Sequence, residues 1–148
     1  MITRKIDADD WLTGHSYEWA KKISEQLAAA GGKLFVICLG KGNVAGLEGV
    51  EVYSLGKELG ATRWQEFWRF QKLAFRLVPR CDGIFCHQNP EYAIAVWPAS
   101  FIFGKKIVSW YTHKAVTWKT KMMLAMSARV LTASRESFRL ASAKAKVL

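Results

Sequence analysis

The order of short apolar runs, and the kind of residue that ends each of them, limits this chain more than any other feature. KLFVICLG (33–40), GIFCHQNPEY (83–92), KKIVSWYTHK (105–114) and ARVLTASRES (128–137) are all built alike. Each is a strand-length apolar run that ends in small or polar residues, and helix-type periodicity fills the spaces between them. The spacing predicts a helix over 16–30, with Ser16 as its cap, Ala20, Ile23, Leu27 and Ala30 on one face, and Gly31-Gly32 as its stop. Strands are expected at 33–39, 50–55, 83–87, 105–112 and 128–133, and from 144 onward. Helices are expected at 63–78, ended by Pro79, at 90–103, opened by Pro90, kinked at Pro98 and closed by Gly104, and at 117–127. Ser134 is expected to cap a helical turn reaching residue 140.

Strands that alternate with helices and are apolar on both faces need cover on both faces. The fold class is therefore α/β: a Rossmann-like three-layer sandwich with a mostly parallel sheet, in one domain over 1–148. Only residues 1–3 precede a polar loop at 4–14, so the first strand is expected to be cut short. The last residues stop within a strand, so the chain reads as a fragment or as one whose start is set late.

Half of the residues are apolar and seven are Trp, enough for a sizeable core and against global disorder. No run reaches the ~18 apolar residues of a membrane span, and no apolar segment comes after the charged start as in a signal peptide. The expected location is the cytoplasm. Cys38, Cys81 and Cys86 fit no zinc spacing and read as reduced, mostly buried thiols. No metal site and no cofactor is expected. Charge is lopsided: residues 1–100 carry 12 Lys and Arg against 11 acids, and residues 101–148 carry 10 against Glu136 alone. Such a surface favours an anionic partner.

Gly40-Lys41-Gly42-Asn43 comes after a strand, but its spacing is wrong for a dinucleotide fingerprint and no helix succeeds it, so it reads as a connection. In helix 63–78, Gln65, Arg69, Lys72 and Arg76 form a polar stripe. The apolar arc of Trp64, Phe67, Trp68, Phe70, Leu73, Phe75, Leu77 and Val78 is wider than docking on one sheet face requires. Two readings stand: a helix buried under neighbouring loops, or a basic amphipathic helix for a membrane surface or a partner. His87, Asn89 and Glu91 lie where a strand turns into a helix, a favoured place for ligands and anions. His113 ends the next strand, where it is either a turn residue or a proton acceptor for a bound hydroxyl. The phosphate loop, HExxH, GxSxG and paired CxxC patterns are missing. Trp110, Lys114, Trp118, Lys119 and Lys121 make only a loose basic–aromatic stripe, so nucleic acid is not expected as a partner.

The stretches QNPEY (88–92), KKIVSWYTHK (105–114) and VLTASRESF (130–138) resemble, in this order, the N-terminal half of a GT-B glycosyltransferase of the family 4 type. TRKID (3–7) and the Gly14 loop are similar to that family's first βα loop. The resemblance implies two Rossmann-like domains across a cleft, the N-terminal one holding the acceptor and the C-terminal one the nucleotide-sugar donor. It implies cleft work for His113, with the sugar transferred nearby, and a return of the chain to the cleft at Ser134. The Gly14 loop would approach the donor phosphates or the acceptor. His15, His87, Asn89 and Glu91 are further substrate-binding candidates. The family's Glu-x7-Glu donor-domain pattern is absent, since no second glutamate comes after Glu136. The expectation is an acceptor-side half of a transferase, inactive without a donor domain in cis or as a separate subunit. Self-association and an anionic membrane surface are the other expected contacts. The rival expectation is a basic binding module without catalysis.

Overall fold

The structure, a computed structural model, describes residues 1–10 and 14–148. It divides into two compact units, Met1–Leu73 and Ala74–Leu148. The first holds β1 (Ile2–Ile6), α1 (Gly14–Ala29), β2 (Leu34–Lys41), β3 (Val50–Ser54) and most of α2 (Arg63–Leu77). The second holds the end of α2, then β4 (Gly83–His87), α3 (Pro90–Ile102), β5 (Lys106–Trp110), α4 (Trp118–Met126), β6 (Arg129–Thr132) and β7 (Ala145–Val147).

In the first unit β2 lies between β3 and β1, and both pairings are parallel. The core is Ile6, Ala20, Leu34, Val36 and Cys38, with Tyr17, Ile23 and Leu27 of α1 packed against it. Burying a side chain such as Val36 completely contributes about 1.5–3 kcal/mol over leaving it in water. The helix stop is as the sequence predicts. Gly31 takes φ 71°, and the amides of Gly31 and Gly32 donate to the carbonyls of Ala28 and Leu27 at 2.9 and 2.8 Å, the paired closure that glycine makes inexpensive. In the second unit the order is β4-β5-β6-β7, again parallel throughout. Ile107, Val130 and Met123 are at most 1% exposed. The fold is α/β and Rossmann-like, as the alternating pattern requires.

Three local expectations are corrected. The first strand is not limited to residues 1–3 but runs to Ile6, paired with β2 as far as Lys41. Arg4 and Lys5 hide it because their charges interrupt the apolar run, although both are compatible with an extended backbone whose alternate side chains reach water. Ser16 does not cap α1, which begins at Gly14. Ser16 is buried, and its hydroxyl pairs with that of Thr3 at 2.8 Å, tying α1 to β1. After β6, residues 135–137 form a turn and not a helix. Ser134 still caps that turn, accepting from the Ser137 amide at 3.1 Å.

Candidate functional site

In the second unit, parallel pairing brings three loops to one sheet edge. The pairing sets His87 level with Trp110, and Trp110 level with Leu131. The chain therefore leaves β4 at Gln88, β5 at Tyr111 and β6 at Ala133, all at the carboxyl ends of neighbouring strands. This is where ligands bind in open α/β sheets.

The loop after β4 is held by side chains. Asn89 caps α3, its Oδ1 accepting from the Glu91 amide at 3.1 Å. Pro90 sits in the first turn, where a missing N–H costs nothing. Glu91 forms an ion pair with Lys119 of α4. Gln88 has φ 72°, a left-handed conformation that a side chain with a Cβ adopts at a cost of roughly 1–2 kcal/mol. The Thr112 hydroxyl donates to its Oε1 at 3.3 Å, linking the first two loops.

The loop after β5 carries His113, which is exposed. Tyr111 organises it. The Tyr111 ring is 4% exposed and stands edge-on to the His113 ring at 5.3 Å and to Phe138 at 6.0 Å. Its hydroxyl donates to the Ala115 carbonyl at 3.1 Å. Burial pushes the phenol up, so it stays protonated and a donor at neutral pH. Phe138 belongs to the segment that Ser134 begins, so one buried ring ties the loops after β5 and β6 together. The loop ends at Thr117, which forms a reciprocal capping box with Thr120 at the start of α4. Ser134 is half-buried, and its hydroxyl pairs with that of Ser137 at 2.9 Å.

Asn89, Glu91, His113 and Ser134 thus sit on adjacent loops of one edge. His87 does not join them at the surface. It is the last β4 residue, 3% exposed, with its ring 6.2 Å from that of Phe85. Gly14 and His15 belong to the first unit, where Gly14 opens α1 and His15 is exposed. His15 lines an open groove of about 680 Å³ along α1 with Trp19, Ile23 and Leu27. Of the loop that precedes Gly14, residues 11–13 lie outside the described residues. Sequence reasoning missed Gln88 and Tyr111. Tyr111 reads as the end of an apolar run, and nothing local marks a non-glycine residue for positive φ.

At the carboxyl ends of the first unit's strands, the bonding groups are carboxylates. Lys5 bridges Asp7 at 2.8 Å and Asp10 at 2.7 Å. The Lys5 ammonium beside Asp7 holds that carboxyl below the usual carboxylate range, helped by the Asp9 amide. Asp7 also accepts from the Asn43 amide at 3.1 Å. A Cβ at Gly42 would lie 2.1 Å from the Asp7 carboxylate, so a larger residue there would have to displace that side chain. The glycine-rich connection is therefore bonded to the loop after β1.

Cys38 and Cys86 are buried, and burial pushes each thiol up to about 12, so neither is a nucleophile at neutral pH. Among the described residues there is no cluster of three metal-ligating side chains. Among them, too, no helix is long and apolar enough to cross a membrane.

No family model and no curated protein matches the chain. Solved structures do match it. MurG of Acinetobacter baumannii superposes with a TM-score of 0.62 at 12% identity, over 99% of this chain and 44% of its own. The lipopolysaccharide outer core galactosyltransferase WaaB superposes with a TM-score of 0.63, also at 12% identity, over 99% of this chain and 45% of its own. The chain spans less than half the length of these structures, and what it shares with them is the Rossmann-like fold of GT-B glycosyltransferases.

Proposed function

We propose that this chain is the acceptor-side half of a glycosyltransferase of the GT-B, family 4 type, and that a donor-binding domain in cis or in a separate subunit completes it. The observation that carries the reading is the carboxyl edge of β4, β5 and β6. An exposed His113 is held there by a buried Tyr111, beside a strained Gln88 and a capped Ser134. Strain kept at such an edge is a mark of function when the surroundings over-determine it. The fold likeness to a galactosyltransferase supports the same reading.

In this reading the edge binds a hydroxyl acceptor. The His113 imidazole accepts a hydrogen bond from the acceptor hydroxyl and takes its proton as the oxygen bonds to the sugar's anomeric carbon. The bond from that carbon to the nucleoside diphosphate breaks, and the diphosphate leaves with the electron pair. Asn89 and Ser134 are substrate-binding groups beside it, Glu91 orients Lys119, and His87 supports the β4 end from below. Gly14 and His15 are first-unit candidates for contacts to acceptor or donor phosphate. Most of the rate comes from positioning and from cations that stabilise the departing diphosphate.

The test is sugar transfer from nucleotide sugars, measured for the chain alone and with the polypeptide encoded directly downstream. The reading expects negligible turnover alone and His113-dependent turnover in the combination. Turnover by the chain alone, or none in either, overturns it.

A further inference from the structure

We infer that the indole of Trp118 is a stacking platform for a pyranose ring, and that the second unit's edge therefore takes a saccharide with an unbroken C–H face. The inference deepens the acceptor reading and rests on it for the class of ligand. Strands that run parallel and are joined through helices set the N-terminal turns of α3 and α4 at the carboxyl ends of β4 and β5. Glu91, in the first turn of α3, is paired with Lys119, in the first turn of α4, so these two turns are neighbours. Trp118 is the first residue of α4 and is 63% exposed. Every group in this constellation belongs to Ala74–Leu148.

A single exposed indole is ordinary on a protein surface. This one is held in place. Thr117, just before it, closes the reciprocal capping box with Thr120. The Ala115 carbonyl accepts from the Tyr111 hydroxyl at 3.1 Å and from the Thr120 hydroxyl at 3.4 Å. The chain that delivers Trp118 is thus clamped both from the end of β5 and from α4. The Lys119 ammonium lies over the indole, 5.8 Å from the ring centroid, where a cation is attracted by the π face. The ion pair with Glu91 keeps it there. Backbone and ring are set before a ligand arrives, which lowers the ordering cost of binding.

The surroundings select the occupant. Along residues 112–119 the large apolar side chains are Val116 and Trp118, and the others are Thr112, His113, Lys114, Thr117 and Lys119. Gln88 and Asn89 stand on the adjoining loop. One open ring set among hydrogen-bonding groups suits a ligand with an apolar face and a polar rim. A pyranose is such a ligand: its axial C–H bonds, polarised by the ring and hydroxyl oxygens, meet the negative π face, and its equatorial hydroxyls radiate toward the rim. A bilayer or a protein surface needs a broader apolar area than Val116 and Trp118 offer. With a sugar ring on Trp118, its hydroxyls reach toward the loop that carries His113.

The experiment is saturation-transfer NMR of the full chain with two probes, and it needs no donor. Methyl β-D-glucopyranoside has axial C–H bonds on both ring faces, and glucitol offers hydroxyls without a ring face. The expected result is transfer to the ring C–H protons of the glucoside, with weaker binding of glucitol. Trp118→Ala is expected to weaken glucoside binding about five- to tenfold, and Trp118→Phe to keep most of it. The side chain is exposed, and circular dichroism checks that both variants fold. The inference is overturned by no binding of the glucoside, by equal binding of glucitol, or by binding that Trp118→Ala retains. Should Trp118→Ala retain both glucoside binding and sugar transfer in the completed enzyme, this inference falls and the acceptor reading stands. Should the glucoside stack on Trp118 while no combination transfers sugar, the acceptor reading falls and the saccharide site stands. A dimer in solution that Trp118→Ala dissolves overturns the inference in favour of a second copy.

Discussion

The two compact units use the same βα grammar and bond their strand ends with opposite chemistry. In Met1–Leu73, carboxylates hold the loops: Asp7 and Asp10 on Lys5, Asp9 on the Asn43 amide group, and Glu58 on Ser54. That unit carries 10 Lys and Arg against nine acids. In Ala74–Leu148, amides and hydroxyls hold most of the loops, with Thr112 on Gln88, Asn89 on its helix, Thr117 on Thr120 and Ser134 on Ser137, beside one ion pair between Glu91 and Lys119. That unit carries 12 Lys and Arg against Asp82, Glu91 and Glu136. Neutral groups that satisfy backbone donors consume no charge, and the second unit as a whole keeps a basic balance that suits an anionic partner. In the first unit Lys5 is bonded to Asp7 and Asp10. Under the proposed function, the chemistry falls to the second edge and a supporting role to the first.

The contrast requires that the cores be alike and only the loops differ. Ile6→Ala and Ile107→Ala remove side chains that are 0% and 1% exposed. Each should lower unfolding free energy in urea by about 2–5 kcal/mol. A cost below about 1 kcal/mol for either one would show that the cores are not equivalent. Next in size is His113→Ala in the completed enzyme, expected to cut turnover about 100-fold and to leave the thermal midpoint in place, because the ring is exposed. An equal loss from His15→Ala would place the chemistry in the first unit instead. Thr117→Ala removes one half of the α4 capping box and should cost about 1 kcal/mol. The α4 amides should then show faster hydrogen exchange, while those of α1 remain as before.

The smallest effect concerns pH. The folded-state pKa of Asp7 lies below its unfolded value. Its stabilising contribution is therefore present above the unfolded value and is lost as pH falls through the folded one. Asp7→Asn should flatten the acid limb of the urea midpoint and leave the neutral plateau's pH dependence unchanged. An unchanged acid limb would mean that the carboxylate bonding of the first unit is incidental.

Much of the fold was legible because it depends on local pattern. β4 and the start of α3 fall where the sequence puts them, since GIFCH is a buried run and Asn89-Pro90 is a helix start with a physical reason. The starts of α2 and α4 are also within a residue of expectation. β1 was misjudged because its charged middle defeats a test based on apolar runs. α1 was misplaced at its start because Ser16 has two uses, and tertiary pairing with Thr3 overrides capping. At the edge of the second unit, the sequence marked the polar residues and passed over the buried one that holds them. Tyr111 reads as core because it is core, and its bond to Ala115 and ring contact with His113 exist only once the strand ends. The burial of His87 was invisible for a related reason: strand alternation fixes its face, but only packing shows that the face is covered. The wide apolar arc of α2 was visible in the sequence, whereas the ring contact of Phe75 with Phe103 required the structure.

The most direct test of the assigned edge is an amide-resolved NMR titration of the intact chain with hydroxyl acceptors, namely free saccharides and detergent-solubilised glycolipids, and separately with nucleotide sugars. The account predicts that acceptors shift the amides of residues 88–91, 111–117 and 133–137. Nucleotide sugars should leave that set largely in place. Shifts confined to the α1 groove, or the same response to nucleotide sugars as to acceptors, would contradict it.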